Sequence, residues 1–213
     1  MWFRSNKRIR KAAINRKTSE VDIKGEFVVD GEGKTKISTG FEPLNHLLTL
    51  FSFHGLFDLN LKAEGDLAHH IIEDIGIALG KAFKEALGDK AGINRYGSFS
   101  MTMDKVVVEV NVDISGRPSL HGQDVARGTK GLGDFFDTFT FDNTSFTSKD
   151  AEEFLEAFTQ HAGLSLVYNI KSGEGDLHHI LEALFKAMGK ALDQATQIDP
   201  RRKGIPSTKE IID

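Results

Sequence analysis

Residues 69–83 read HHIIEDIGIALGKAF, and residues 178–192 read HHILEALFKAMGKAL. Aligned without a gap, the two stretches share both histidines, the glutamate that follows them and a Gly-Lys-Ala segment near the end. Each stretch is introduced by Gly-Asp-Leu, at residues 65–67 and 175–177. A repeat of this kind predicts a chain built from two similar halves.

The similarity extends upstream of both stretches. Residues 46–56 (HLLTLFSFHGL) align with residues 153–164 (EFLEAFTQHAGL), which puts His46 opposite Glu153 and His54 opposite His161. Each half therefore reads helix, strand, turn and helix. His54 and His161 stand shortly before glycines, where we expect a role at a helix C-terminus.

The spacing of apolar residues predicts the fold class. Apolar side chains recur at helical spacing in four segments, at residues 47–51, 72–83, 154–158 and 181–192. Alternating apolar and polar residues predict strands at residues 21–29, 57–62, 105–114 and 166–171. We therefore expect an α+β protein with helices packed on antiparallel sheets. Residues 122–149, rich in Gly and Phe, are interpreted as a long loop with some strand character whose Phe residues pack.

The composition argues against several classes of function. The chain has 213 residues, is 39% hydrophobic and carries a net charge of -4, which argues against a general nucleic-acid binder. It has no cysteine, so a metal site must use His and carboxylates, and this absence fits a cytoplasmic protein. The basic N-terminal segment is not followed by an apolar stretch, and no window suits a membrane span.

The His-His-x-x-Glu motif can supply ligands in two directions. Residues three and four positions apart share a helix face, so His69 and His70 are both neighbours of Glu73. The two adjacent histidines point about 100° apart. One motif can therefore give a His and a Glu to one ion while its other His reaches a different ion.

A pseudo-twofold arrangement of the two copies predicts two metal sites. The first would use His46, His70, Glu73 and His178, and the second would use Glu153, His179, Glu182 and His69. Nitrogen and oxygen ligands with open positions suit manganese, iron or zinc better than magnesium or calcium. A single His-His pair is more often a surface or hydrogen-bonded feature, whereas two copies with Glu at the same offset favour metal binding.

Several further segments occur in a fixed order along the chain. Besides the two motifs above, they are RKTSEVDI at 16–23, STG at 38–40, NH at 45–46, GINRYG at 92–97, DISGRP at 113–118 and PSTK at 206–209. In this order they resemble a known family, imidazoleglycerol-phosphate dehydratase of histidine biosynthesis. The resemblance covers the chain from about Arg10 to the C-terminus.

This resemblance implies a hydro-lyase that converts imidazoleglycerol phosphate to imidazole-acetol phosphate with two Mn²⁺ ions per subunit, other divalent ions being possible. The metals would act as Lewis acids, and Glu20 would transfer a proton. Metal-ligand residues of the catalytic site would be His70, Glu73, His178 and Glu182. The phosphate would be bound by Arg95, Arg117, Ser207 and Lys209. Without the resemblance, each of these basic residues would be interpreted as an ordinary surface charge.

The resemblance also implies a fold and an assembly. The fold would be ribosomal protein S5 domain 2-like, with two similar halves whose helices lie between antiparallel or mixed sheets. The subunits would form a cubic homo-oligomer, a 24-mer, with sites at subunit interfaces and no nucleic-acid or membrane partner. The corresponding divisions are a basic tail at 1–12, half-domains at 13–94 and 95–195, and a C-terminal tail at 196–213.

The chain departs from the family pattern just before the first predicted metal ligand. Residues 42–46 read EPLNH, so that Asn45 replaces a carboxylate and Pro43 changes the backbone before the helix. This departure motivates a second hypothesis, a metal-assembled oligomeric homologue without turnover. A third hypothesis is a different metal-dependent enzyme acting on a small phosphorylated substrate. Retention of Glu20 and of the predicted phosphate-binding residues favours the dehydratase.

Overall fold

The computed structural model describes residues 9–132, 138–173 and 176–212. The first half contains β1 (Lys11–Lys17), β2 (Val21–Val28), β3 (Thr35–Ser38), α1 (Glu42–Gly55), β4 (Asp58–Gly65) and α2 (Ala68–Leu87). The second contains β5 (Tyr96–Met103), β6 (Val106–Asp113), β7 (Ser119–Asp124), β8 (Thr129–Lys130), β9 (Phe139–Phe141), β10 (Thr144–Phe146), α3 (Ser148–Ala162), β11 (Ser165–Gly173) and α4 (Leu177–Thr196).

The two main sheets have the same topology. The first has strand order β1-β2-β4-β3, and the second has order β5-β6-β11-β7 with β8 added at its edge. In each sheet the first three strands pair antiparallel, and the fourth pairs parallel to the third. This equivalence confirms the duplication expected from the repeated motifs.

The four helices lie between the sheets and form the core with them. Helix α2 packs on β1 and β2, whereas α4 packs on β5 and β6. The helices pair across the two halves, α1 with α4 and α2 with α3. The predicted α+β fold, with helices between mixed sheets, is confirmed.

Glycines let the paired helices approach closely. A Cβ on Gly80 of α2 would lie 2.6 Å from the Phe158 carbonyl oxygen of α3. At the equivalent position of the other pair, a Cβ on Gly189 of α4 would collide with the Phe51 carbonyl oxygen of α1. Such distances leave no space for a methyl group, so the duplicated glycine sets the separation of both helix pairs.

Four predicted strands are present as β2, β4, β6 and β11, but others were missed. Strand β1 begins at Lys11, inside the segment predicted as a tail, and it buries Ala12 and Ile14 on alternate positions. Small or isolated apolar residues gave this strand a weak alternation signal. Residues 122–149 contain β8, β9 and β10 and the end of β7, which agrees with the expected strand character. Met1–Arg8, Gly133, Phe135, Phe136 and Gly175 lie outside the described residues.

The two helix ends near His54 and His161 differ. Helix α3 ends with Gly163 in the left-handed conformation, and His161 Nδ1 donates to the Ala157 carbonyl at 2.9 Å, as expected near a C-terminus. Helix α1 instead includes Gly55, and Leu56 adopts the left-handed conformation with φ 56°. None of the described helices combines the length and the apolar character that crossing a membrane would require.

Candidate metal centre

Three predicted ligands meet where α1 and α4 pack together. His46 Nε2 donates to Glu182 Oε1 at 2.6 Å, and His178 Nε2 lies 3.2 Å from the same oxygen. One potential ligand atom from each residue lies within 4.8 Å of the others. The imidazole rings of His46 and His178 are stacked, with centroids 5.8 Å apart and an interplanar angle of 11°. The donor set of two nitrogens and a carboxylate oxygen suits a divalent transition metal.

The charge balance of this cluster depends on Lys186. Its Nζ donates to Glu182 Oε2 at 2.6 Å, which leaves the other carboxylate oxygen facing the histidines. Burial opposes ionisation of Glu182, but hydrogen bonds from Lys186 and His46 outweigh it and lower the pKa of this carboxyl group. Burial lowers the pKa of His178, which favours the neutral imidazole that binds metal ions.

One atom of the cluster has no polar partner in the described structure. His178 Nδ1 is buried and makes no hydrogen bond. Because Nε2 of the same ring faces Glu182 Oε1, Nε2 is the nitrogen positioned to bind a metal ion, and Nδ1 is the nitrogen that such an ion would leave unused. The donor set of His46, His178 and Glu182 therefore agrees with a metal site in this position, with His178 Nδ1 outside it.

Residues 42–46, where a departure from the family pattern was expected, lie at the start of α1 and fit there without strain on the helix. Pro43 lies in the first helical turn, where its missing N–H has no intrahelical partner to lose. Asn45 is 9% exposed, and its Oδ1 accepts hydrogen bonds from the backbone N–H and the hydroxyl of Thr39. Its Nδ2 donates to Glu42 Oε1 at 3.1 Å. Asn45 therefore anchors the helix that carries His46.

The second helix pair, α2 with α3, carries the residues that align with those of the cluster between α1 and α4. Glu73 of α2 and Glu153 of α3 line one pocket of about 450 Å³, together with Glu156, Gln160 and His161. His69 stands one turn before Glu73 and is exposed. By the alignment of the two halves, His69, Glu73 and Glu153 correspond to His178, Glu182 and His46.

The structure groups the predicted ligands differently from the two sets proposed from the sequence. His46 lies beside His178 as expected, but its glutamate partner is Glu182 and not Glu73, and His70 does not belong to the cluster in the described chain. The reason is that α1 packs along α4, so the His46 ring meets the motif of the other half. His178, the first His of the second motif, lies four residues before Glu182 and belongs to the same cluster.

The second His of each motif is held by a nearby aspartate. His70 Nδ1 donates to Asp66 Oδ1 at 2.8 Å, and His179 Nδ1 donates to Asp176 Oδ1 at 2.5 Å. The hydrogen bond to Asp66 raises the pKa of His70. Glu20 is half exposed, and its Oε2 lies 3.9 Å from His70 Nδ1. The predicted proton-transfer residue therefore stands beside a motif histidine.

The predicted phosphate-binding residues lie at the opposite ends of the helices. Arg95 donates to both oxygens of Asp113, at 2.6 and 3.1 Å, and to the Pro206 carbonyl at 3.0 Å. The last contact brings the segment with Ser207 and the exposed Lys209 next to this guanidinium. The Arg95 backbone N–H also donates to the Ala195 carbonyl at the end of α4.

Arg117 lies near the C-terminal end of another helix. Its side chain is exposed, and the N–H of the preceding Gly116 donates to the Gly163 carbonyl that follows α3. Along α4, the end at Ala195 is about 20–25 Å from the Glu182 and His178 positions, since an α-helix rises 1.5 Å per residue. The structure therefore separates the metal-ligand candidates from the phosphate-binding candidates within one chain.

Sequence reasoning missed several residues that contact the predicted ligands. Asp66 and Asp176 are the aspartates of the repeated Gly-Asp-Leu, so their duplication was an available signal. Lys186 could have been found from its i, i+4 spacing to Glu182. Phe139 and Phe141 were predicted only as packing residues, and no sequence pattern indicated that their rings contact those of His178 and His46.

Comparisons with known proteins agree with these features. Residues 39–192 match the protein family described as Imidazoleglycerol-phosphate dehydratase. The imidazoleglycerol-phosphate dehydratase of Pelobacter propionicus is 46% identical over 207 residues, covering 95% of this chain and 99% of that protein. The enzyme of the same name from Syntrophobacter fumaroxidans is 47% identical over 203 residues, covering 94% of this chain and 96% of that protein.

Two solved structures share the fold. Imidazoleglycerol-phosphate dehydratase from Staphylococcus aureus superposes with a TM-score of 0.72 at 34% identity, covering 90% of this chain and 99% of the other. The enzyme from Pyrococcus furiosus gives a TM-score of 0.74 at 33% identity, covering 92% of this chain and 98% of the other. The chain therefore belongs to the imidazoleglycerol-phosphate dehydratase family, whose members are hydro-lyases of histidine biosynthesis.

Proposed function

We propose that this chain removes water from D-erythro-imidazoleglycerol phosphate to give imidazole-acetol phosphate, with two Mn²⁺ ions per subunit. The observation that carries the proposal is the cluster of His46, His178 and Glu182, whose ligand atoms lie within 4.8 Å of one another. A non-catalytic structural role would not require this cluster together with Glu20 and a set of phosphate-binding residues.

Each helix pair would hold one ion. His46, His178 and Glu182 would bind the first, and the pseudo-equivalent Glu153, His69 and Glu73 would bind the second. The bound ions would supply Lewis acidity to an imidazole substrate. His70 and His179 do not join the described cluster, and their partly exposed positions suit ligation of ions held mainly by neighbouring subunits. All eight predicted ligands would then be used.

Glu20 would move the proton in the elimination. The reaction takes a proton from one carbon of the side chain and hydroxide from the next, and the resulting enol tautomerises to the ketone. Glu20 is accessible to a substrate and lies near His70, which suits a group that accepts and returns a proton. The aspartate next to His70 would keep that ring in one orientation.

The substrate phosphate would be bound by Arg95, Arg117, Ser207 and Lys209, and the site would form between subunits. A small phosphorylated imidazole is shorter than the distance of about 20–25 Å that helix geometry gives between the metal cluster and the Arg95 end of α4. One chain therefore cannot bring its first metal cluster and its Arg95 end to the same substrate molecule. This separation supports a symmetric oligomer, such as the cubic 24-mer, in which a second subunit supplies the cations.

Production of imidazole-acetol phosphate by metal-stripped protein, with and without added Mn²⁺, tests the proposal. We expect turnover only with the metal, and its loss in Glu20→Gln, which removes the proton-transfer group without adding bulk. Lys17→Gln, a change of an exposed residue at the end of β1, just before the turn that carries Glu20, is the control and should retain activity. Mn²⁺ binding and large assembly without turnover would instead support the non-catalytic homologue.

A further inference from the structure

A short aromatic hairpin covers the cluster of His46, His178 and Glu182. Strands β9 and β10 pair antiparallel with Phe141 opposite Thr144, so that Asp142 and Asn143 form a two-residue turn. Both turn residues have positive φ, 47° and 61°, as a type I′ turn requires. The hairpin packs against α1, the helix that carries His46.

Two phenylalanines of this hairpin contact the imidazole rings directly. The Phe139 ring meets the His178 ring nearly edge-on, with centroids 4.4 Å apart and an interplanar angle of 62°. The Phe141 ring is parallel to the His46 ring, at 6.2 Å and 9°. The His46 ring is also nearly parallel to the His178 ring, so the rings of Phe141 and His178 both lie parallel to that of His46.

We propose that Phe139 and Phe141 are positioning residues that hold the His178 and His46 rings in the orientation required for metal binding. This inference rests on the proposed function, since it assumes that the cluster binds a metal ion. It adds a role for a hairpin that contains none of the predicted ligands.

The argument begins with the unpaired nitrogen of His178. A metal-ligating histidine usually donates its second ring N–H to a carboxylate or carbonyl group, and this hydrogen bond fixes the ring orientation. His178 Nδ1 is buried and has no such partner among the described residues. His70 and His179, in contrast, each have an aspartate in that role. Nε2 faces Glu182, but on the Nδ1 side the orientation of the His178 ring depends on packing.

Phe139 provides that packing. Its side chain is 4% exposed, so it is itself held in place, and its ring lies against the His178 ring. Aromatic pairs in such a geometry contribute about 0.5–1.5 kcal/mol beyond area burial. Phe141 is 50% exposed, so it contributes little to the core, and its aromatic contact is with the ring of His46.

Metal titrations of the assembled protein test this inference. The variants are Phe139→Leu and Phe141→Leu, which keep an apolar side chain but remove the ring. The control is Phe53→Ala, because Phe53 is exposed on the same helix as His46 and also meets a histidine ring, that of His54 at 5.4 Å. Mn²⁺ affinity is measured by calorimetry, and visible absorption of the Co²⁺-loaded protein reports the ligand geometry.

We expect each Leu variant to lower the affinity for one of the two Mn²⁺ ions per chain by about tenfold, as changes next to a ligating histidine do. Each variant should also alter part of the Co²⁺ spectrum. The second ion, held by residues on α2 and α3, is an internal reference that should not change. Phe53→Ala should match the parent in both measurements. Since Phe141 is half exposed, its variant should fold even if the Phe139 variant does not.

Two outcomes separate the inference from the proposed function. If the parent binds Mn²⁺ but both Leu variants retain its affinity and spectrum, the positioning role is overturned while the proposed function stands. If the parent binds no Mn²⁺, the proposed metal sites fail and the inference fails with them. An equal loss of affinity for both ions would indicate a general loss of structure and would also contradict the positioning role.

Discussion

Gly189 of α4 lies against the backbone carbonyl of Phe51 on α1 so closely that a methyl group cannot fit between them. Its would-be Cβ would also lie 3.0 Å from the Gly55 backbone nitrogen. Backbone atoms cannot turn aside as a flexible side chain does. The separation of α1 and α4, and with it the distance from His46 to His178 and Glu182, is therefore set at Gly189.

We expect Gly189→Ala to separate the two helices and to weaken Mn²⁺ binding at the cluster. Overpacking should lower the free energy of unfolding by about 1–3 kcal/mol, although Gly→Ala in an unhindered helix would raise it by up to about 1 kcal/mol. Urea unfolding and metal titration measure both effects. Gly204→Ala is the control, because nothing lies within 4 Å of a Cβ there. A more stable Gly189→Ala protein would contradict this account.

Introducing at position 45 the carboxylate that the resemblance implies should destabilise this chain. Asn45→Asp would remove the hydrogen bond donated to Glu42 and place two carboxylates at hydrogen-bond distance, 3.1 Å in the parent. We expect a loss of about 1–3 kcal/mol in the free energy of unfolding at pH 7. Adding Glu42→Gln should recover most of the loss, since the new amide can donate to the carboxylate introduced by the first change. Additive effects of the two changes in a double-mutant cycle would exclude this coupling.

Asp193 provides a prediction about pH. Burial raises the pKa of Asp193 above its ordinary value of 3.8. The folded chain therefore binds the carboxyl proton more tightly than the unfolded chain does, and stability falls as the pH rises from 3.8 through the raised pKa. The carboxylate also lies in the last turn of α4, where a negative charge is unfavourable. Asp193→Asn should therefore raise the free energy of unfolding at pH 7 by about 0.3–1 kcal/mol, and this gain should shrink near pH 4.

Unfolding of Asp199→Asn provides a control of opposite sign. The hydrogen bond from Arg201 lowers the pKa of Asp199 to about 2. The ionised Asp199 therefore stabilises the folded chain fully above pH 3.8, and this stabilisation is lost as the pH falls towards 2. This variant should be less stable than the parent at pH 7. If both substitutions shifted stability in the same direction, the electrostatic explanation for Asp193 would be wrong.

Mixed assemblies test whether the site is shared between subunits. His178→Ala removes a ligand at one end of α4, and Lys209→Ala removes a cation near its other end. Co-assembled from equal amounts, the two inactive chains should regain up to about a quarter of parent turnover, because some sites combine an intact cluster with an intact Lys209 from another subunit. His178→Ala mixed with Glu182→Gln should stay inactive, since both changes affect one cluster. Equal recovery in the two mixtures would argue against a shared site.

The sequence predicted the duplication and the ligand candidates but not how they pair. Local spacing is informative about one helix, so the repeated His-His-x-x-Glu segments indicated two equivalent helices with ligands at their N-terminal ends. Which helix faces which is a tertiary property. The pairing of α1 with α4 depends on the close approach at Gly55 and Gly189, and a sequence pattern does not show which backbone a glycine will meet.

The hairpin of β9 and β10 over the cluster could not be predicted from the sequence for a different reason. Its strands contain three residues each, too few for alternation to be recognised. The Asp142-Asn143 turn was the available signal, because these residues favour positive φ in a two-residue connection. Strand β1 was missed because only Ala12 and Ile14 occupy its buried positions, and because its first residues continue the basic N-terminal stretch that was interpreted as a tail.

The crosswise pairing of the helices also bears on how such a chain could have arisen. His46 comes from the first half and Glu182 from the second, so neither half carries a complete cluster by itself. An unduplicated ancestor with the same geometry could have formed the cluster only where two identical copies met. Gene duplication and fusion would then have turned an association between molecules into an intramolecular contact, after which the two former copies were free to diverge, as His46 and Glu153 have done.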